Sequence, residues 1–260
     1  MKDGLKELKI NRDDRYMTFA DLDEKGIFNA FTLRPYNFNQ NYIDDLYIRK
    51  QYAKLEAEFG KQFRKIVKPV QTHTNTVKVL NEENLNDEFK DVDGLVTDLS
   101  NVCLVTSLAD CQGVLFYDPK KGVIGNVHSG WKGTLNKIGK NAIDLMVTTY
   151  GTDPRDLNVY IFPSILKCCF EVDEDVMQMF VDAFQEIDID SCISAGDLKE
   201  GKQKYFIDTV RINQLMFERS GILPENIHLS NTCSKCHKDE IHSHRGHGAR
   251  AGRNIAMISK

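Results

Sequence analysis

Short apolar runs separated by turn-prone or acidic stretches recur along the chain, and they predict more strands than helices. Residues 102–106 and 122–127 each read as a buried strand running into polar, chemistry-bearing residues. Earlier strands are predicted at 27–33, stopped by Pro35, and at 63–70 and 77–80, with a corner at 71–75 between the last two. After an acidic, asparagine-rich loop at 81–91, residues 93–97 begin a dense series of strands that reaches Val127. Further short strands are expected at 157–162, ended by Pro163, and at 204–207, 227–229 and 255–259.

Helical spacing shows in four places. Asn41 can cap a helix to about Phe59, with Ile43, Leu46, Tyr47, Ala53 and Ala57 as its apolar face and Gly60 closing it. Leu135, Ile138, Ala142, Leu145 and Met146 recur with helical period until Gly151, behind a turn at 130–133. Asp173 can cap a helix carrying Val176, Met179, Phe180, Ala183 and Phe184, and Asp208 another that ends near Gly221. With no repeat, low-complexity stretch or linker, the expectation is one α+β domain over residues 1–260 with mixed sheets flanked by helices.

Composition narrows the function classes. A chain of 260 residues, 41% hydrophobic, can bury a sizeable core, and a net charge of -4 gives no global reason to bind nucleic acid or an acidic membrane surface. No early stretch has the basic and apolar regions of a signal peptide, and no apolar run nears the roughly 18–20 residues that span a bilayer, so the expected location is the cytoplasm. Seven cysteines, an odd number, lie partly inside apolar runs. Reduced thiols used for packing, metal binding or nucleophilic chemistry fit that pattern better than a disulfide framework. Oligomeric state leaves no mark on the sequence.

The candidate chemistry starts from Ala109-Asp110-Cys111 and His128-Ser129-Gly130-Trp131-Lys132-Gly133. His73, at the end of 70–73, is a third group that could join them. Two histidines and a cysteine form a sensible ligand set for a divalent metal such as zinc with one position left open, although each, read alone, fits a packed structural side chain better than a ligand. Gly130 and Gly133 flank the chain's only tryptophan, allowing close approach to a ligand beside a stacking surface, or a turn pinned by a core indole. Asp110 is the acidic residue expected to orient a site group, and Glu171 a further polar contact.

The C-terminal loop, 233–253, offers two more features. Cys233-Ser234-Lys235-Cys236-His237, with His242, His244 and His247 beyond, has the outline of a zinc finger, but the gap to the histidines is much shorter than the usual ~12 residues, which argues against a second metal there. Arg245, Arg250 and Arg253 among glycines suit an anion, or a solvated basic tail.

In order, Gln71-Thr72-His73, Asp93-Gly94-Leu95-Val96-Thr97, Ala109-Asp110-Cys111, His128-Ser129-Gly130-Trp131-Lys132-Gly133, Cys169-Phe170-Glu171-Val172 and Gly252-Arg253 resemble the YfiH/YlmD family, also called the laccase-domain or multicopper polyphenol oxidase family. The resemblance runs from about Phe28 to the C-terminus and implies a single-domain α/β/β/α fold. It also implies zinc held by His73, Cys111 and His128, with copper the alternative metal behind the older oxidase label. The implied activity is phosphorolysis of adenosine, inosine, guanosine and methylthioadenosine, with deamination of adenosine. On that reading Cys111, His128 and Asp110 are the catalytic candidates, while Arg245, Arg253, Lys132 and Trp131 are candidates for holding phosphate and substrate.

The chain departs from the family pattern where Lys132 replaces the usual arginine, keeping charge but losing the fork. Residues 32–39 lack a glycine-rich stretch, and Ser243-His244-Arg245-Gly246 lacks one arginine of a common pair. Competing readings are a cysteine hydrolase in which His128 activates Cys111, a copper-dependent phenol oxidase, and a metal-braced binding protein.

Overall fold

The computed structural model describes residues 8–11 and 15–260, so the span 1–260 expected for the domain includes residues 1–7 and 12–14, which lie outside the described ones. In chain order the first elements are β1 (Leu8–Asn11), β2 (Tyr16–Phe19), α1 (Ala20–Glu24), β3 (Phe28–Thr32), α2 (Asp45–Phe59), β4 (Lys65–Val67) and β5 (Val77–Val79). The dense central run resolves into β6 (Gly94–Thr97), β7 (Val102–Leu108), β8 (Gln112–Asp118) and β9 (Val123–Ser129). It is followed by α3 (Trp131–Leu135), α4 (Ile138–Tyr150), β10 (Asn158–Ile161), β11 (Glu171–Asp173) and α5 (Glu174–Ala183). The chain then forms β12 (Ile193–Lys199), β13 (Lys202–Ile207), α6 (Thr209–Arg219), β14 (Ile227–Leu229), α7 (His244–His247) and β15 (Asn254–Ser259).

Two mixed six-stranded sheets, ordered β1-β2-β3-β15-β7-β4 and β14-β10-β8-β9-β6-β5, pack face to face, with a three-stranded β11-β13-β12 sheet beside them. Period-two alternation explains the layers. Along β7, Val102 and Leu104 join Phe31, Leu115, Ile124 and Ile258 between the sheets, while Cys103 and Val105 face outward with Ile255 and Met257 against Ile48 and Leu55 of α2. On the other outer face, Val114, Phe116 and Val127 meet Ile138, Ala142 and Met146 of α4 and Phe217 of α6. Helix, sheet, sheet and helix therefore stack in that order. The fold is α+β with mixed sheets, as the sequence predicts.

Central strands read as continuous apolar runs because both of their faces are covered. Asn126, one of the polar residues on these strands, is buried but satisfied: it accepts from Thr106 Oγ1 at 2.8 Å and donates to Leu104 O and Ala256 O at 3.0 and 2.9 Å. It thereby ties one sheet to the other.

Several predicted boundaries shift. Helix α2 starts at Asp45, capped by Asp44, whose side chain accepts from Tyr47 N, because the preceding backbone turns around the Asn39 carbonyl. Its buried face is Ile48, Gln51 and Leu55; Leu46 and Tyr47 are exposed, and Gly60 closes it at φ +60° as expected. The glycine-tryptophan segment is the start of a short helix, not a free turn. That helix is separated from α4 by Lys137 in the left-handed region, at φ +58°. Strands β11 and β12 were not evident in the sequence. Among the described residues no helix is long and apolar enough to cross a membrane.

Candidate metal centre and its cavity

The loop after β4 carries His73, held in the left-handed region at φ +63°. Two clamps fix this loop. Gln71 exchanges a pair of hydrogen bonds with the Ser107 backbone of β7, donating through Nε2 at 3.0 Å and accepting at Oε1 at 2.7 Å. Asp93, fully buried, accepts from His73 N at 3.1 Å and from Thr74 N and Thr74 Oγ1 at 2.7 Å each. Cys111 sits in the turn between β7 and β8, beside Asp110 at φ +83°. His128 lies inside β9, one residue from its end, because that strand runs two residues past the predicted end at 127.

The structure brings the three predicted ligands together: one ligand atom each from His73, Cys111 and His128 lies within 4.8 Å of the others, with Cys111 Sγ 4.0 Å from His73 Nε2. Asp93 Oδ1 accepts from His128 Nδ1 at 2.7 Å, which leaves Nε2 facing the thiol and fixes the tautomer needed for ligation. Two imidazoles and one thiolate around a common point suit zinc in a three-ligand site with an open side. Gly130 permits this approach: a Cβ there would stand 2.9 Å from His73 Cδ2 and 3.1 Å from Cys111 Sγ.

Charge is shared across the trio. Burial pushes the Cys111 thiol up, but the adjacent His128 imidazolium and then His73 outweigh it and hold it at about 6. Burial lowers His128, yet the Cys111 thiolate and the Asp93 carboxylate bring it to about 9. Asp93, raised by burial but held by His128 and Thr74, falls to about 2. Free of metal, the surroundings favour the thiolate of Cys111, the imidazolium of His128 and the carboxylate of Asp93.

The centre opens into a cavity of about 910 Å³. Of the other sequence candidates, Asp110, Trp131, Arg245, Arg253 and Glu171 line it, whereas Lys132 does not: its exposed ammonium lies 5.6 Å from the Trp131 ring centroid. Asp110 orients a loop instead of a ligand, because its carboxylate accepts from Ser234 Oγ and Arg245 N, each at 2.6 Å. The carboxylate that positions the histidine is Asp93, on the adjacent strand β6's approach. Arg245 Nη1 donates to Glu171 O at 3.0 Å and to Cys169 O at 3.3 Å, and Arg253 Nη1 donates to Ala251 O and Gly252 O. Lys68, which sequence reading passed over, also lines the cavity; burial lowers it, and its ammonium donates to Gln40 Oε1 at 2.9 Å. Phe38, Asn39 and Asn41, from and just beyond the divergent N-terminal segment, complete that wall.

The family model described as multi-copper polyphenol oxidoreductase laccase matches residues 32–260. The chain belongs to this family. Within the laccase-domain family it is 31% identical over 195 residues to the purine nucleoside phosphorylase YlmD of Bacillus subtilis, covering 72% of this chain and 68% of that one. A protein named purine nucleoside phosphorylase from Bacteroides thetaiotaomicron is 30% identical over 241 residues, covering 90% and 86%. The crystal structure of the hypothetical protein YfiH from Bacillus licheniformis superposes with a TM-score of 0.85 at 22% identity, over 97% of this chain and 98% of that one. The YfiH/YlmD resemblance is thus borne out, and the laccase-domain relatives supported by name are enzymes.

Proposed function

We propose that this chain is a zinc-dependent purine nucleoside phosphorylase that also deaminates adenosine, working in the cytoplasm as a single domain over residues 1–260. The observation that carries the reading is the three-ligand centre, oriented by Asp93, at a cavity that pairs aromatic surface with cations. Trp131 and Phe170 offer faces for a purine, and Lys68, Arg245 and Arg253 offer charge for phosphate. A volume of about 910 Å³ accommodates a nucleoside and an anion together. Names of the relatives point to the same substrates.

In phosphorolysis a phosphate oxygen bonds to the anomeric carbon while the glycosidic C–N bond breaks, and the purine leaves with the bonding pair and takes up a proton. The cationic wall holds the phosphate and screens its charge as the sugar becomes positive; the aromatic faces hold the base in line. Deamination adds water at purine C6 and releases ammonia. Bound metal would supply Lewis-acid polarisation in this cavity. Asp110 contributes by fastening Arg245 and Ser234 to the cavity wall, and Lys132 stands outside the residues that line it.

A second reading has one observation in its favour. The Cys111 thiolate beside a carboxylate-held His128 imidazolium is also the resting state of a cysteine nucleophile. The two separate by product. Purified protein given adenosine, inosine, guanosine or methylthioadenosine should yield free base and the sugar 1-phosphate only when phosphate is present, and inosine from adenosine without it. Nucleosides left intact in both arms would sink the proposal and favour the thiol reading.

A further inference from the structure

Four of the seven cysteines converge outside the centre described above. Cys168 and Cys169, in the turn after β10, meet Cys233 and Cys236 of the C-terminal loop, and one sulfur from each lies within 4.8 Å of the others. Cys236 Sγ stands 3.8 Å from Cys168 Sγ and 3.5 Å from Cys169 Sγ. Zinc–sulfur bonds of about 2.3 Å arranged tetrahedrally separate their sulfurs by about 3.8 Å, whereas a disulfide requires about 2.05 Å. A disulfide would also leave two of four converging thiols unused.

We infer that Cys168, Cys169, Cys233 and Cys236 bind one structural zinc ion that pins the C-terminal loop to the turn after β10. Local backbone geometry is built for it. Ser164 and Cys233 form a parallel bridge, with Ser234 N donating to Ser164 O at 2.9 Å, so the two segments run side by side before their thiols meet. The backbone N–H groups of Leu166 and Cys236 point at the Cys233 sulfur, the arrangement amides take around thiolate ligands. The four thiols give up their protons when the ion binds, leaving a net charge of about −2. Lys167 and Lys235 adjoin the ligands in sequence.

The histidines that zinc-finger spacing suggests as partners for the Cys233–Cys236 pair are engaged elsewhere. His237 Nδ1 pairs with Cys233 O, His242 Nε2 with Tyr36 O, and His247 Nδ1 with Ser243 O, while His244 lines the cavity. The missing half of the site comes from an adjacent cysteine pair more than sixty residues earlier, which local spacing cannot reveal. Position gives the site a purpose. Ile165, Phe170 and Arg245 all line the catalytic cavity, and the guanidinium of Arg245 reaches Cys169 O. The zinc would thus hold that wall from behind.

The test uses the full chain, expressed with zinc and purified in reductant. Cys168→Ser/Cys236→Ser protein should carry one zinc fewer per chain than wild type by elemental analysis, whether or not the His73–Cys111–His128 centre is loaded; equal zinc contents would overturn the inference. Should that variant fail to fold, wild-type alkylation decides. Cys168 and Cys236 are exposed, so in zinc protein they should resist iodoacetamide and become reactive once a chelator is added. Equal modification before and after chelation, or a Cys169–Cys236 disulfide in reductant-purified protein, would refute it.

Discussion

Replacing Asp93 by Asn tests how the centre is positioned. The carboxylate is fully buried and receives five donors: His73 N and His128 Nδ1 at Oδ1, and Thr72 N, Thr74 N and Thr74 Oγ1 at Oδ2. An amide offers one acceptor side. If its oxygen faces the threonines, the NH2 confronts His73 N–H, and His128 must take the tautomer that protonates Nε2 and forbids ligation. If its oxygen faces the histidines, Thr72 N–H and Thr74 N–H lose their acceptor, although the Thr74 hydroxyl can rotate. Each buried donor left without a partner costs about 1–3 kcal/mol, so we expect roughly 2–4 kcal/mol of destabilisation, or a melting temperature lower by roughly 5–15 °C. Zinc affinity should fall about 10–100-fold, as it does when a carboxylate behind a ligating histidine is removed. Asp93 is held at about 2, below its ordinary 3.8, so its contribution is present above pH ~4 and fades as pH falls towards 2. The gap between variant and wild type should close over that range. Calorimetry of metal-free protein and competition titration against a chromophoric chelator read both effects. Unchanged melting together with unchanged zinc affinity would refute the assignment of Asp93.

Gly130→Ala leaves a backbone of φ −74° unstrained, but its methyl meets His73 and Cys111 at 2.9 and 3.1 Å, so zinc affinity measured by the same titration should drop about tenfold or more with little change in melting. In metal-free protein, alkylation of Cys111 should rise with pH through a midpoint at about 6, because the thiolate is the reactive form; peptide-level mass spectrometry giving a midpoint near the ordinary 9 would contradict the His128 pairing. Lys68→Gln removes one cation from the proposed phosphate wall. At about 1.5–3 kcal/mol for a charged hydrogen bond, the phosphate KM should rise roughly tenfold or more while the nucleoside KM stays put.

The strands that build the centre were legible because their apolar runs are buried on both faces, as along β7 and β9, and β14 matches its predicted span residue for residue. Helix α2 starts later than a cap at Asn41 predicts, because Asn39 O takes the Tyr42 and Ile43 N–H groups and Asp44 caps instead, and only tertiary packing selects Ile48 and Leu55 as the inner face. His73, Cys111 and His128 were recognisable as a group through their family resemblance, since nothing in their spacing brings them together. Asp93 stood in plain sight at the head of its strand, but turns favour aspartate and its contact with His128 spans 35 positions. Lys68 and the meeting of Cys168–Cys169 with Cys233–Cys236 depend wholly on how distant loops converge, which neither periodicity nor local spacing encodes.

Zinc returned stepwise to metal-free protein, with adenosine and phosphate present and the sugar 1-phosphate followed, is the most direct measurement. Turnover should be absent without metal, return as zinc is added, and stay absent in Cys111→Ser protein. Full turnover by the metal-free chain would contradict a metal-dependent phosphorylase at His73, Cys111 and His128.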